Sequence, residues 1–238
     1  LLLHDHGARF QKGWQKVIGN NPEPYYSGMA IGDSLAAHGY VVLCVDALYW
    51  GSRRSSLSQR LFSDSLGTGK WFEQILREDK ECIDWLAHQP FVDSTRIAVA
   101  GFSFGAYRAW NIAAEEKRVK LCIASHWMTT LAQNRYNDSW LCMYREGLYP
   151  LSYTEFAAHP STYPTLRFAE IAAQMAPRPF LLQYGAQDKL FPVNAVDSCV
   201  QYIESMHHGC FKHERYECGH VFTHQHLLKW LFFLQKQL

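Results

Sequence analysis

The five residues Gly101-Phe102-Ser103-Phe104-Gly105 fit the pattern Gly-x-Ser-x-Gly. From the glycine and serine usage of this chain, such a match arises by chance in roughly one of sixteen sequences, so its neighbours decide its meaning. The apolar run Ile97-Ala98-Val99-Ala100 leads directly into it, and the helical stretch Ala106-Tyr107-Arg108-Ala109-Trp110 leads directly out. A serine on so tight a strand-to-helix turn is held in a strained backbone conformation with Oγ exposed. Glycines must flank it because Cβ atoms there would collide. The turn also puts Ser103 at a helix N-terminus, where the backbone N–H of Phe104 can face a developing oxyanion.

A hydroxyl is a poor nucleophile until a base takes its proton, and the base needs an acid to orient it. For a serine on this kind of turn the partners follow in the order Asp or Glu, then His. Asp188 stands in Gly185-Ala186-Gln187-Asp188 after the apolar run Phe180-Leu181-Leu182-Gln183-Tyr184, on a loop at a strand end. Its nearest rival, Asp197, falls inside the next helical segment. His220 follows the run 211–217 in Cys218-Gly219-His220, again on the loop before a helix. Of its neighbours, His213 belongs to the strand and His224 and His226 to the terminal helix. Ser103, Asp188 and His220 thus come from three strand ends, which converge on the edge where α/β folds place ligands.

The elements that must position them alternate along the chain. Leu1 to Leu3 end a buried strand, and residues 26–38 carry helical spacing that stops at Gly39. Tyr40 to Val45 is a β-branched strand, and 51–68 is a Ser-, Gly- and Arg-rich excursion. Trp71 to His88 forms the clearest helix, with Ile75, Cys82, Trp85 and Leu86 on one side. Strand, helix and strand follow at 96–100, 104–116 and 119–124. Residues 127–168, rich in Trp and Tyr and broken by Pro150, Pro160 and Pro164, fit no period and suggest an inserted cap. Regularity returns with a helix at 168–175, a strand at 179–184, a helix at 194–207, a strand at 211–217 and a helix at 221–237. This is the pattern of a mostly parallel sheet with helices on both faces, in a single domain over 1–238.

The elbow Gly101 to Gly105, the opening His4-Asp5-His6-Gly7-Ala8 after a Leu-rich strand, the Gly-Ala-Gln-Asp ending at Asp188 and the Cys-Gly-His ending at His220 together resemble the α/β-hydrolase superfamily. Within it the chain is similar to the dienelactone hydrolase and acetyl-xylan-esterase-like branch, over all its length but the cap. The resemblance implies the α/β-hydrolase fold, with the cap after the sixth strand and two further strands ahead of the one ending at Leu3. It implies a serine esterase that needs no metal or organic cofactor and acts on a small-molecule ester. It also implies a second oxyanion donor on the loop after the first strand, most naturally the N–H of His6 with Gly7 next. Dienelactone hydrolases proper carry cysteine at the elbow, so Ser103 points to oxygen-ester chemistry and away from the dienelactone itself. A prolyl-oligopeptidase-type peptidase and a thioesterase share the same residues. A non-catalytic binding module is the alternative of another class, disfavoured because a binder gains nothing from a strained elbow.

Composition narrows the field further. The 238 residues are 48% hydrophobic and 19% charged, with 23 Lys and Arg against 22 Asp and Glu. That balance, with no long basic run, offers no footprint for nucleic acid or anionic lipid. No apolar stretch approaches the roughly 20 residues of a membrane span. Seven scattered cysteines without C-x-x-C spacing fit reduced thiols, so the expected compartment is the cytoplasm. The chain opens on Leu rather than Met, which leaves a signal peptide open. Trp50, His126 and Trp127 end strands on the catalytic edge and are candidates to line the acyl or alcohol pocket, with core packing the competing reading. Arg53 beside them either meets an acidic substrate or forms a surface ion pair. His220, His224 and His226 lack the glutamate of a zinc motif, and Gly67 to Trp71 lacks the frame of a phosphate loop.

Overall fold

A computed structural model describes residues 1–7, 9–19, 23–67, 70–130, 166–207 and 209–238. Most of its sheet is built from runs whose side chains are apolar on both faces, the edge run Phe211–Tyr216 being mostly polar and exposed. Strands β1 (Leu2–Leu3), β2 (Ile97–Phe102), β3 (Val119–Ser125), β4 (Phe180–Gly185) and β5 (Phe211–Tyr216) pair in parallel in the order β1-β2-β3-β4-β5. Leu1, Leu3, Val99, Cys122, Ala124 and Leu182 enter the core on one face. Leu2, Ala100, Phe102, Leu121, Ile123 and Leu181 enter it on the other. Two apolar faces require two layers of helix. The first face packs against α3 (Lys70–Ala87), α4 (Phe104–Glu115), α5 (Arg167–Ala173) and α6 (Val193–His207). The second packs against α1 (Ile31–Ala37) and α7 (His224–Gln237).

Helix α4 shows why the serine turn must be tight. It is buried along its whole length from Phe104 to Ala114, and four alanines let it lie close on the sheet. The register pairs Leu3 with Gly101, Phe102 with Ser125 and Ser125 with Gln183. The C-terminal ends of β1 to β4 therefore finish on one edge, and the loops leaving them share it.

Several expectations change. Tyr40 to Val45 forms no strand; its one ladder contact is the Leu2 N–H donating to the Leu43 carbonyl at 2.9 Å. The neighbouring β1 is only two residues long, too short to template a longer ladder. The excursion after Gly51 holds a helix, α2 (Gln59–Leu66), started by the Ser58 hydroxyl, which accepts from the Leu61 N–H. The first helix is shorter than its spacing suggests: a 3-10 turn at Pro24–Tyr26 precedes α1, which ends at Ala37, with His38 as its cap and Gly39 just beyond at φ +88°. Trp85 on α3 is 51% exposed. The buried stripe of α3 runs through Trp71, Ile75, Asp79, Ile83 and Leu86, and its central place is taken by a carboxylate. Asp79 accepts from Arg108 on α4 at 2.6 and 2.8 Å, both side chains being buried. Removing one partner of such a pair costs about 3–5 kcal/mol. Of the expected cap, residues 131–165 lie outside the described residues; 127–130 are buried and 167–173 form α5.

Candidate active site

Ser103 sits between β2 and α4 with φ +54° and ψ −123°, a conformation that costs a non-glycine residue about 1–3 kcal/mol. Its N–H donates to the Ser125 carbonyl at 2.8 Å, which ties the turn to β3. The flanking glycines leave no room for a side chain. A Cβ on Gly101 would stand 2.3 Å from the Gly105 carbonyl carbon, and one on Gly105 would stand 2.0 Å from the Leu3 carbonyl oxygen.

The loops after β4 and β5 bring two side chains to this hydroxyl. His220 Nε2 lies 2.9 Å from Ser103 Oγ, and His220 Nδ1 lies 2.7 Å from Asp188 Oδ2. With Nδ1–H donating to the carboxylate, Nε2 is left to accept from the hydroxyl. The ring of His220 is flanked by Phe102 at 4.9 Å and Phe191 at 5.5 Å, and its side chain keeps 20% exposure. Asp188 is buried, and its Oδ1 accepts from the N–H groups of Leu190 and Phe191 at 2.9 and 3.3 Å. Burial alone would raise this carboxyl, but hydrogen bonds from His126 and His220 outweigh it and hold Asp188 below the usual carboxylate range.

The loop after β1 is held from beneath. Lys16 is fully buried, and its ammonium donates to the carbonyls of Asp5 at 3.0 Å and His6 at 2.7 Å. Trp50 Nε1 donates to the same His6 carbonyl at 3.1 Å. In a trans peptide the carbonyl and the following N–H point in opposite directions. Pulling the Asp5 and His6 carbonyls toward Lys16 therefore turns the N–H groups of His6 and Gly7 the other way. Burial lowers the Lys16 ammonium, and Asp5 works against that. The Asp5 carboxylate also accepts from the hydroxyls of Tyr25 and Tyr26, each at 2.7 Å. Gly7, at φ +56°, is required: a Cβ there would meet the Tyr25 hydroxyl at 2.2 Å. The His6 ring stands edge-on to Phe104 at 6.2 Å, so this loop borders the first residue of α4.

The three side chains expected to line a pocket are placed differently. Trp50 and His126 are fully buried and Trp127 is 1% exposed. Trp50 stacks on Phe104 at 5.5 Å, and Trp127 stacks on Tyr107 at 4.1 Å. All three are interior groups among the described residues. His126 has a more specific place: its Nδ1 lies 2.9 Å from Asp188 Oδ2, and its Nε2 lies 3.0 Å from His226 Nε2. Arg53 takes the ion-pair fate, donating to both oxygens of Glu78 at 2.5 and 2.9 Å. His224 is exposed at the start of α7, away from the buried His226. Among the described residues, metal-ligating atoms do converge to within 4.8 Å in two sets, His126 with Cys218 and His226, and His126 with Asp188 and His220. Both nitrogens of His126 and His220, and Nε2 of His226, are engaged in the hydrogen bonds just given. A cleft lined by Leu35, Leu86, Phe91, Arg96 and Leu238 lies at the opposite end of the sheet from Ser103.

Sequence reasoning missed the supports: Lys16, Asp5, Tyr25 and Tyr26 under one loop, and behind the carboxylate His226 together with the contact of His126, which it had named for the pocket. Only Asp5 stands in a motif, the opening run 4–8, and Lys16 carries no sequence signal of burial.

Residues 14–139 match the dienelactone hydrolase family. Among curated proteins, "Putative hydrolase YtaP" of Bacillus subtilis (strain 168) is 28% identical over 249 residues, covering 100% of this chain and 78% of that protein. Esterase Pf2001 of Pyrococcus furiosus superposes with a TM-score of 0.66 at 18% identity, over 99% of this chain and 81% of that one. The alpha/beta hydrolase GrgF from Penicillium sp. sh18 gives 0.61 at 15% identity, over 99% and 88%. A glucuronoyl esterase from Solibacter usitatus gives 0.59 at 13% identity, over 70% and 48%. At these identities the likeness is one of fold, the α/β-hydrolase fold. Among the described residues no helix is long and apolar enough to cross a membrane.

Proposed function

The chain belongs to the dienelactone hydrolase family, and from that premise we propose that this hydrolase cleaves carboxylic esters through a serine-bound acyl-enzyme, with a preference for small acyl groups. The observation that carries the reading is the unbroken run of contacts from Ser103 Oγ through His220 to Asp188, at 2.9 and 2.7 Å, on a strained turn. Nothing about folding requires a serine in that conformation.

Ser103 attacks the acyl carbonyl as His220 Nε2 takes its proton. Asp188 holds the imidazole in the required tautomer and stabilises its cation. The N–H of Phe104, at the start of α4, and the N–H of His6, turned outward by Lys16, stabilise the tetrahedral oxyanion. His220 returns the proton to the leaving alcohol, and water then releases the acid through the same base. The small-acyl preference is supported by the aromatic density of 127–168, where Trp127, Trp140, Tyr144, Tyr149, Tyr153 and Tyr163 fall. The six described cysteines are free thiols, which supports a reducing compartment.

Initial rates on p-nitrophenyl acetate, butyrate and octanoate test both halves of the reading. We expect kcat/KM for acetate to exceed that for octanoate by about 10-fold or more, since a few methylenes in an apolar pocket are worth that much. Octanoate hydrolysed as fast as acetate removes the small-acyl assignment. An acetyl thioester and a prolyl anilide belong in the same panel, and preference for the anilide over every ester would move the assignment to a peptidase.

A further inference from the structure

We propose that His126 and His226 are positioning residues that hold Asp188 in register with His220; this rests on the triad reading above. Four observations converge on His126. Its backbone lies at φ +58°, in the left-handed region that a non-glycine residue adopts at a cost. Its ring is fully buried. Both of its ring nitrogens are engaged, Nδ1 with Asp188 Oδ2 and Nε2 with His226 Nε2. The neighbouring strand end is equally crowded, since a Cβ on Gly185 would meet the Cys218 and Gly219 carbonyl oxygens at 2.4 and 2.8 Å and His126 Cε1 at 3.0 Å.

The proton positions along this chain follow from one group that can only donate. The backbone N–H of Thr223 donates to His226 Nδ1 at 3.1 Å. A neutral His226 then carries its proton on Nε2 and gives it to His126 Nε2. That acceptor role leaves the His126 proton on Nδ1, pointed at Asp188 Oδ2. Burial lowers both rings, His226 to about 3 and His126 below its ordinary value, so both stay neutral. Asp188 Oδ2 thus receives two N–H donors, from His126 and from His220, while Oδ1 receives two backbone donors. Four donors fix the carboxylate plane, and the one from His126 faces no solvent. The same directed bonds weigh against a metal among His126, Cys218 and His226, because a metal on His226 Nε2 would need the site that its proton fills.

The test compares His126→Phe with His126→Asn, using p-nitrophenyl acetate and thermal unfolding. Phenylalanine fills the volume without a donor; asparagine fills less but offers an amide N–H where Nδ1–H stood. If His126 positions Asp188, His126→Phe lowers kcat by about 10- to 100-fold, the scale of a small misplacement, and KM changes by less than about twofold. His126→Asn restores kcat to within about fivefold of the parent regardless of its melting temperature. Should His126→Phe not fold, His226→Leu on the unstrained α7 removes the donor that sets the His126 tautomer. It should lower kcat by about fivefold or more, with His226→Gln recovering it. A donor-less variant that keeps kcat within about twofold, or losses of kcat that follow melting temperature across all the variants, overturns the proposal. So does a stoichiometric metal in the purified protein. Ser103→Ala run alongside separates the two claims: if it stays active the triad reading fails, and if it is inactive while His126→Phe keeps kcat within about twofold of the parent, only the positioning role fails.

Discussion

Ser103→Ala should lower kcat on an ester substrate by about 10⁶-fold, the loss seen when a serine nucleophile of this type is removed, while leaving the fold intact. The described contact of the Ser103 hydroxyl is with His220 Nε2, and the hydroxyl makes no capping bond to α4. The strained φ belongs to the backbone and persists with alanine. Losing one hydrogen bond of this kind changes stability by about 1 kcal/mol. Steady-state kinetics and thermal unfolding of the same preparation check both halves. A residual activity within about 100-fold of the parent would place the nucleophile elsewhere.

Asp188→Asn should behave differently, lowering kcat by about 10⁴-fold and destabilising the protein as well. The parent carboxylate accepts four N–H donors, two at each oxygen. An asparagine has one oxygen and one NH₂. Turned one way, its NH₂ meets the Nδ1–H groups of His220 and His126; turned the other, it meets the N–H groups of Leu190 and Phe191. Either orientation leaves two buried donors facing a donor, at a cost of about 1–3 kcal/mol each. The His220 tautomer that can accept from Ser103 loses its support in the first orientation. The contrast with Ser103→Ala is diagnostic, since the serine change removes activity alone. An Asp188→Asn variant with parent melting temperature and more than about a tenth of parent kcat would show that Asp188 does not orient His220.

The three residues of the proposed triad are legible because each stands at a junction that sequence marks well. Ser103 has an apolar strand before it and a helix after it, and Asp188 and His220 each follow a strand on a short loop. Register then brings them together, as parallel strands of similar length end on one edge. What sequence hid is what needs a third dimension. His126 follows β3 as any strand-end residue does, and only the pairing of β3 with β4 puts its ring under Asp188. Lys16 reads as a surface lysine until the carbonyls of Asp5 and His6 close on it. The phase of α3 was misjudged at Trp85 because apolar spacing counts Asp79 as outward, whereas Arg108 makes it an interior residue. The strand expected at 40–45 depended on a ladder partner, and two residues of β1 supply little of one.

Intact mass after treatment with a fluorophosphonate, run on the parent protein and on Ser103→Ala, tests the central claim most directly. Such a probe reports an activated hydroxyl without assuming the acyl or alcohol group of the substrate. A single adduct on the parent, mapped to Ser103 and missing from the variant, is the predicted result. A folded parent that takes up no probe, or an adduct that survives in Ser103→Ala, would contradict the account.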